Sequence, residues 1–181
     1  MKIKLSSDEM LAQWKLCRGF APLRNDCEIS RSDGVDLDAI LRLEMRDWYL
    51  QLLSKAPVEM LSLTDISNVI AMVAQPDGTA TVKLPENCRR LVSFHLQGWS
   101  REAKIITDPN SYEALLQTNQ YSRGKSENPV VVLCNNKLHV YSLPSTQMPK
   151  IECAMAVMEP IDGSYEMDET ALSLIPKSVN L

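Results

Sequence analysis

The sequence has no apolar run that approaches the twenty or so residues needed to span a membrane. Its first residues, Met1-Lys2-Ile3-Lys4-Leu5-Ser6, lack the long apolar centre of a secretion signal, so the expected location is the cytoplasm. Five cysteines (Cys17, Cys27, Cys88, Cys134 and Cys153) form no Cys-x-x-Cys pair, and the odd number argues against a complete disulfide framework. Cys134 and Cys153 stand in apolar, strand-like runs, where a thiol is expected to serve as a small buried hydrophobe. There are only two histidines, His95 and His139, both in strand runs. Neighbouring strands could bring them together, and with Cys88 or Cys134 they could hold a metal, but no ligand pair has the spacing of a zinc site. Both are therefore expected to be structural.

Nucleophile motifs are missing as well. No Gly-x-Ser-x-Gly elbow occurs, and cysteine, histidine and asparagine have no sequence arrangement that links them. Arg123-Gly124-Lys125-Ser126 ends like a phosphate-binding loop but lacks the upstream glycine and follows a helix instead of joining strand to helix. It is expected to be a solvated basic loop. The sequence shows no internal repeat and no low-complexity tract. The expectation is thus no catalytic, cofactor-binding or metal-binding residue, and no enzyme.

What is present is ordinary globular composition: 181 residues, 45% hydrophobic, 23% charged. That length suffices for one domain or two small ones, with a sizeable core. The net charge of −4 and pI of about 5.2 mean that nothing global recruits nucleic acid. Arg89, Arg90, Arg101 and Lys104 could form a local basic face, which is weak support for nucleic-acid binding without exposed aromatics beside them. Asp36 and Asp38 sit where a helix start favours acids, and Glu166, Asp168 and Glu169 are expected to be solvated.

Taken in order, Ser6 with Glu9 three residues on has capping-box spacing, and Met10, Leu11, Trp14 and Cys17 follow near one helical face. Residues 18–34 read as a loop. Asp36 caps a second helix to about Ser54, with Leu37, Ile40, Leu41, Trp48, Leu52 and Leu53 as its apolar stripe, before Pro57. Thr64-Asp65 starts a third, shorter helix through Ala74 that buries Ile66, Val69, Ile70 and Val73. Past the turn at 75–78 the period becomes two, with strands expected at 79–84, 90–96 and 102–106. A short helix follows at 112–117. Two apolar runs around Asn135-Asn136 form a hairpin, since asparagine tolerates the positive φ of a two-residue turn. The last strand covers 150–158 with Ile151, Cys153, Met155 and Val157 on one face, and residues 161–181 form a tail with a helical turn or two.

Leu84-Pro85-Glu86-Asn87-Cys88-Arg89-Arg90-Leu91-Val92-Ser93-Phe94 resembles a stretch of tailed-phage head–tail adaptor and ring proteins, in which Leu-Pro and a polar residue precede an apolar residue, Arg and Leu at the start of a strand. The ring proteins of crAss-like gut phages are the nearest in pattern. The similarity continues through Gly98-Trp99-Ser100-Arg101, Tyr112, the stretch Gln117-Thr118-Asn119-Gln120-Tyr121-Ser122-Arg123-Gly124, and Asn128-Pro129-Val130, covering roughly residues 79–142. Cys88 stands where those proteins carry a large apolar or aromatic residue, and the sequence stops at Leu181 where they usually continue into further helices.

The expectation from the residues is an α+β fold on a single domain, 1–181. Its helical part at 1–76 packs on a mostly antiparallel sheet at 77–160 that carries one short helix, and residues 161–181 are a tail. The resemblance implies a non-enzymatic connector-ring subunit of a phage or prophage, located in the virion where phage-encoded. Its partners would be portal and tail proteins and its own copies, with no membrane and no sequence-specific nucleic acid. A ring is a head-to-tail interface closed by rotation. Its contacts are expected on one face of the long helix and on the loops at 18–34 and 121–128. The alternative is a stand-alone binding module that takes a peptide or ligand on its sheet face. A small enzyme that uses His95 or His139 with a nearby cysteine is the third reading.

Overall fold

The computed structural model describes residues 1–19, 36–144 and 149–177, so most of the loop expected at 18–34, with Cys27, lies outside the described residues. The fold is α+β, as the residue pattern implies. The chain forms two compact units, Met1–Ser62 with Glu159–Leu181, and Leu63–Met158. The helical part and the tail are thus one structural body, built from both ends of the sequence.

The first unit opens with strand β1 (Lys2–Leu5) and helix α1 (Ser7–Cys17). The capping box forms as its spacing requires: Ser6 Oγ accepts from Glu9 N, and the Glu9 carboxylate accepts from Ser6 N at 2.8 Å. The bond from Ser6 N, and then one donated by Ser6 Oγ, hold the Glu9 carboxyl below the usual range. Helix α2 (Leu37–Lys55) begins at Asp36, whose carboxylate accepts from Asp38 N and Ala39 N. Its buried stripe is Leu41, Met45, Tyr49, Leu52 and Leu53, a run at i, i+4, i+8, i+11 and i+12. The face is rotated from the expected one: Leu37 and Ile40 are exposed, and Trp48 is half-buried with its ring edge-on to Trp14. Met45 and Tyr49 supply the side-chain area that the alternative face lacks.

The expected tail is mainly a strand, β10 (Tyr165–Asp168), paired antiparallel with β1, and a 3-10 turn at Glu169–Leu174. Tyr165 and Met167 are buried. The Tyr49 hydroxyl fastens α2 to this strand, donating to Glu166 O at 3.2 Å and accepting from Glu166 N at 2.9 Å. Desolvation pushes the Tyr49 phenol up to about 12.

The second unit contains two sheets. Strands β2 (Leu63–Asp65), β9 (Ile151–Met158) and β5 (Cys88–Leu96) form one, with β9 central and all pairs antiparallel. Strands β3 (Met72–Ala74), β4 (Ala80–Lys83), β8 (Lys137–Val140), β7 (Val130–Cys134) and β6 (Lys104–Ile106) form the other, in that order. Among the described residues only β6–β7 is parallel, a register reached through helix α3 (Tyr112–Thr118) in the crossover. Both sheets feed one apolar core: Ala80, Val82, Leu138, Val140 and Val131 from the larger, and Leu91, Phe94, Leu96, Ala154 and Ala156 from the smaller. Burying the larger of these side chains, the valines, leucines and Phe94, is worth roughly 1.5–3 kcal/mol each before chain entropy is counted.

The helix expected over 64–74 does not form. Its first turn does, with Val69 N and Ile70 N donating to Ile66 O, but the chain then extends into β3. The segment is rich in β-branched residues, which lose side-chain freedom in a helix, and pairing with β9 and β4 outcompetes a period satisfied over one turn. Asp65 does not cap a helix: its carboxylate accepts from Ser67 N and Ala154 N, and these bonds, that from Ser67 first, hold its carboxyl low. On β9 the fully buried residues are Ala154, Ala156 and Val157, whereas Ile151, Cys153 and Met155 are half-buried. Both faces of that strand are apolar, so alternation could not say which one enters the core.

The Asn135-Asn136 hairpin forms as expected, with φ of 48° and 60° at the two asparagines. Asn136 also donates from its amide to Leu84 O and Pro85 O, tying the hairpin tip to the end of β4.

Candidate functional site

The two histidines are placed apart, His95 on β5 of the smaller sheet and His139 on β8 of the larger. His95 Nδ1 lies 3.0 Å from a Glu152 carboxylate oxygen, with its ring edge-on to Trp99. Across the ladder its register partner is Cys153, whose Sγ lies 3.9 Å from Ser93 Oγ. A cysteine therefore does stand opposite one histidine, but its hydrogen-bonding contact is the serine. His139 stacks on Tyr141. Among the described residues no three His, Cys, Asp or Glu side chains gather in a geometry that could hold a metal. Cys134 and Cys153 are half-buried thiols, not the fully buried ones expected. Burial pushes the Cys88 thiol up, away from the thiolate that nucleophilic chemistry requires.

The loop with the phosphate-loop-like ending is tied down from inside. Gly124 N donates to Gln117 Oε1 at 2.9 Å, and Gln117 is itself buried. Arg123 donates from Nε to Gln117 O, lies over the Tyr141 ring at 5.8 Å and approaches Asp77. The amide and guanidinium that would receive a phosphate are thus already engaged. A Cβ on Gly124 would come within 2.6 Å of Asn128 O, which explains the glycine without a ligand. The expected basic face is divided: Arg89 and Arg90 lie on β5 or its end, while Lys104 lies on β6 of the other sheet, paired with Glu113 at 2.6 Å.

What the second unit does present is an apolar ridge on α3 and the loop after it. Ser111 caps the helix, its Oγ accepting from Ala114 N and donating to Asp108 O. Ala114 packs inward on Ile106 and Val132. That rotation turns Tyr112 and Leu115 outward, 75% and 55% exposed, and Tyr121 beyond the helix is 96% exposed. Within the first unit, α1 and α2 present Leu16 and Leu43, likewise mostly exposed. The helix at 112–117 was legible from the sequence; its ridge was not. The signal was small Ala114 at an inward position with large apolar neighbours around it. No helix among the described residues is long and apolar enough to cross a membrane. The chain matches no protein-family model and no curated protein.

Proposed function

We propose that the chain is a non-enzymatic assembly protein, a head–tail adaptor subunit of connector-ring type. The observation that carries this reading is the ridge of Tyr112, Leu115 and Tyr121. Large apolar and aromatic side chains held outward by a capped, well-packed helix match the composition of protein interfaces, in which aromatics are enriched. The resemblance over residues 79–142 supplies the type of assembly, and its partners would be portal and tail proteins and other copies. A second reading, a binding module that takes a peptide or ligand on its sheet, is favoured by the larger sheet's outer face around Thr81 and the exposed Val73, on β4 and β3 beyond the strand that borders Val132.

The test is co-elution with the portal protein encoded in the same genome. Association is expected, and Leu115→Ser with Tyr121→Ser should weaken it by roughly tenfold or more if the ridge holds interface anchors. No association with portal or tail proteins, together with a gene lying away from capsid genes, would overturn the reading.

A further inference from the structure

The larger sheet of the second unit contains a pairing that folding alone disfavours. Strands β3, β4, β7 and β8 contain no acidic residue, and their only formal charges are Lys83 and Lys137. Those two lysines are direct cross-strand partners. Like charges placed opposite each other on a sheet repel and destabilise the pair. Both side chains are exposed, and neither takes part in an ion pair among the described residues. They alternate with the inward Val82 and Leu138, so they share the sheet's outer face with Thr81 and His139. The result is a small, purely cationic patch on a rigid two-stranded ladder whose tip is fixed by Asn136.

The first unit carries the matching surplus. It has fifteen Asp and Glu against ten Lys and Arg, whereas the second unit has eight against nine. Among the described residues most acids of the first unit are occupied locally, as in Asp8–Arg42, Asp38–Lys15 and Asp162–Lys4. Asp47, Glu59 and Glu169 are not, and of these Glu59 and Glu169 lie on neighbouring elements. Both are exposed and outside any ion pair among the described residues. They lie on the two 3-10 turns, Val58–Met60 and Glu169–Leu174, that pack against each other.

We infer that the Lys83–Lys137 patch is the docking surface for a second copy of this chain, received through the acidic 3-10 turns at Glu59 and Glu169. In a ring such a contact is heterologous, the lysine patch of one copy meeting the acidic turns of the next. The inference rests on the connector-ring reading and specifies its subunit interface. Electrostatic complementarity of this kind sets register and encounter rate and is weakened by salt.

Sedimentation velocity over a concentration series, at low and at high salt, tests it. Self-association is expected at low salt and should weaken by roughly tenfold at high salt. Lys83→Glu with Lys137→Glu should abolish it, as should Glu59→Lys with Glu169→Lys. Mixing the two charge-reversed variants should restore association between them, a gain that misfolding cannot produce. A chain that stays monomeric at low salt up to high concentration overturns the inference. So does association that the lysine reversals leave unchanged, or a mixture that fails to complement. Binding of the unmodified chain to portal protein is scored separately. If that persists while the copies do not associate through this patch, only the interface assignment falls; if portal binding is lost too, the adaptor reading falls with it.

Discussion

The two units are held together by different physics. In Leu63–Met158 one apolar core joins both sheets, and Ala80, Val82, Phe94, Leu96, Leu138, Val140, Ala154 and Ala156 have no exposure to speak of. In the unit made from the two chain ends, an apolar stripe on α2 is supplemented by polar ties. The Met1 ammonium binds Asp168 at 2.9 Å, Lys4 bridges Asp162 and Glu166, Arg46 binds Glu159 at 2.5 Å, Arg18 pairs with Glu44, and Tyr49 fastens β10. Ion pairs with solvent-exposed partners are screened by water and contribute little each, although Glu159 itself is buried. What they add is registration of two segments far apart in sequence. Segments brought together from opposite ends cannot rely on local propensity, whereas a hairpin-rich sheet can.

The largest test of this contrast is Phe94→Ala. Phe94 is fully buried between the sheets and meets Trp99 edge-on, so truncation should cost roughly 3–5 kcal/mol, measured by urea unfolding. Tryptophan position sharpens the experiment, since Trp99 reports on the second unit and Trp14 and Trp48 on the first. Single-tryptophan variants should show the Trp99 transition moving to lower denaturant. A transition that moves equally for all three would mean that the units unfold as one cooperative body.

Tyr49→Phe probes the polar side of the comparison. The ring and its tilted contact with Tyr165 remain, but Glu166 N and O lose their hydroxyl partner. A cost of roughly 1 kcal/mol is expected, because partly buried backbone groups lose their partner. A neutral result would mean that apolar packing alone secures β10.

The smallest effect is a pH dependence. The Met1 ammonium, then hydrogen bonds from Thr170, hold Asp168 down at about 2. A depressed carboxyl contributes stability that is fully present above its unfolded value near 4. That contribution is lost as pH falls from there through about 2. Asp168→Asn should flatten the melting temperature against pH in this window, lowering it modestly near neutrality, where the contribution is complete, and leaving it little changed near pH 2, where the contribution is already lost. Asp162, held low chiefly by Lys4 and Ser164, keeps part of the slope. An unchanged profile would remove Asp168 from the account.

The sequence by itself determined the features that depend on a few neighbouring residues. The Ser6–Glu9 box, the Asp36 cap, the extent of α2, the α3 cap at Ser111 and the asparagine hairpin all form, because each is decided by hydrogen bonds or backbone angles within a few positions. Only the tertiary structure decided which way ambiguous segments went. Residues 64–74 satisfy helical spacing but their two ends became strands because β9 and β4 were there to pair with them. The tail became a strand because β1, more than 150 residues away, supplied its ladder. The candidate surfaces follow the same division. Tyr112 and Leu115 could be placed on a helix but not turned outward until Ala114 met Ile106 and Val132. Lys83 and Lys137 are 54 positions apart in sequence, and their opposition exists only in the register of β4 with β8. Register is a long-range property, fixed by which apolar residues fill a shared core, and no local window contains it.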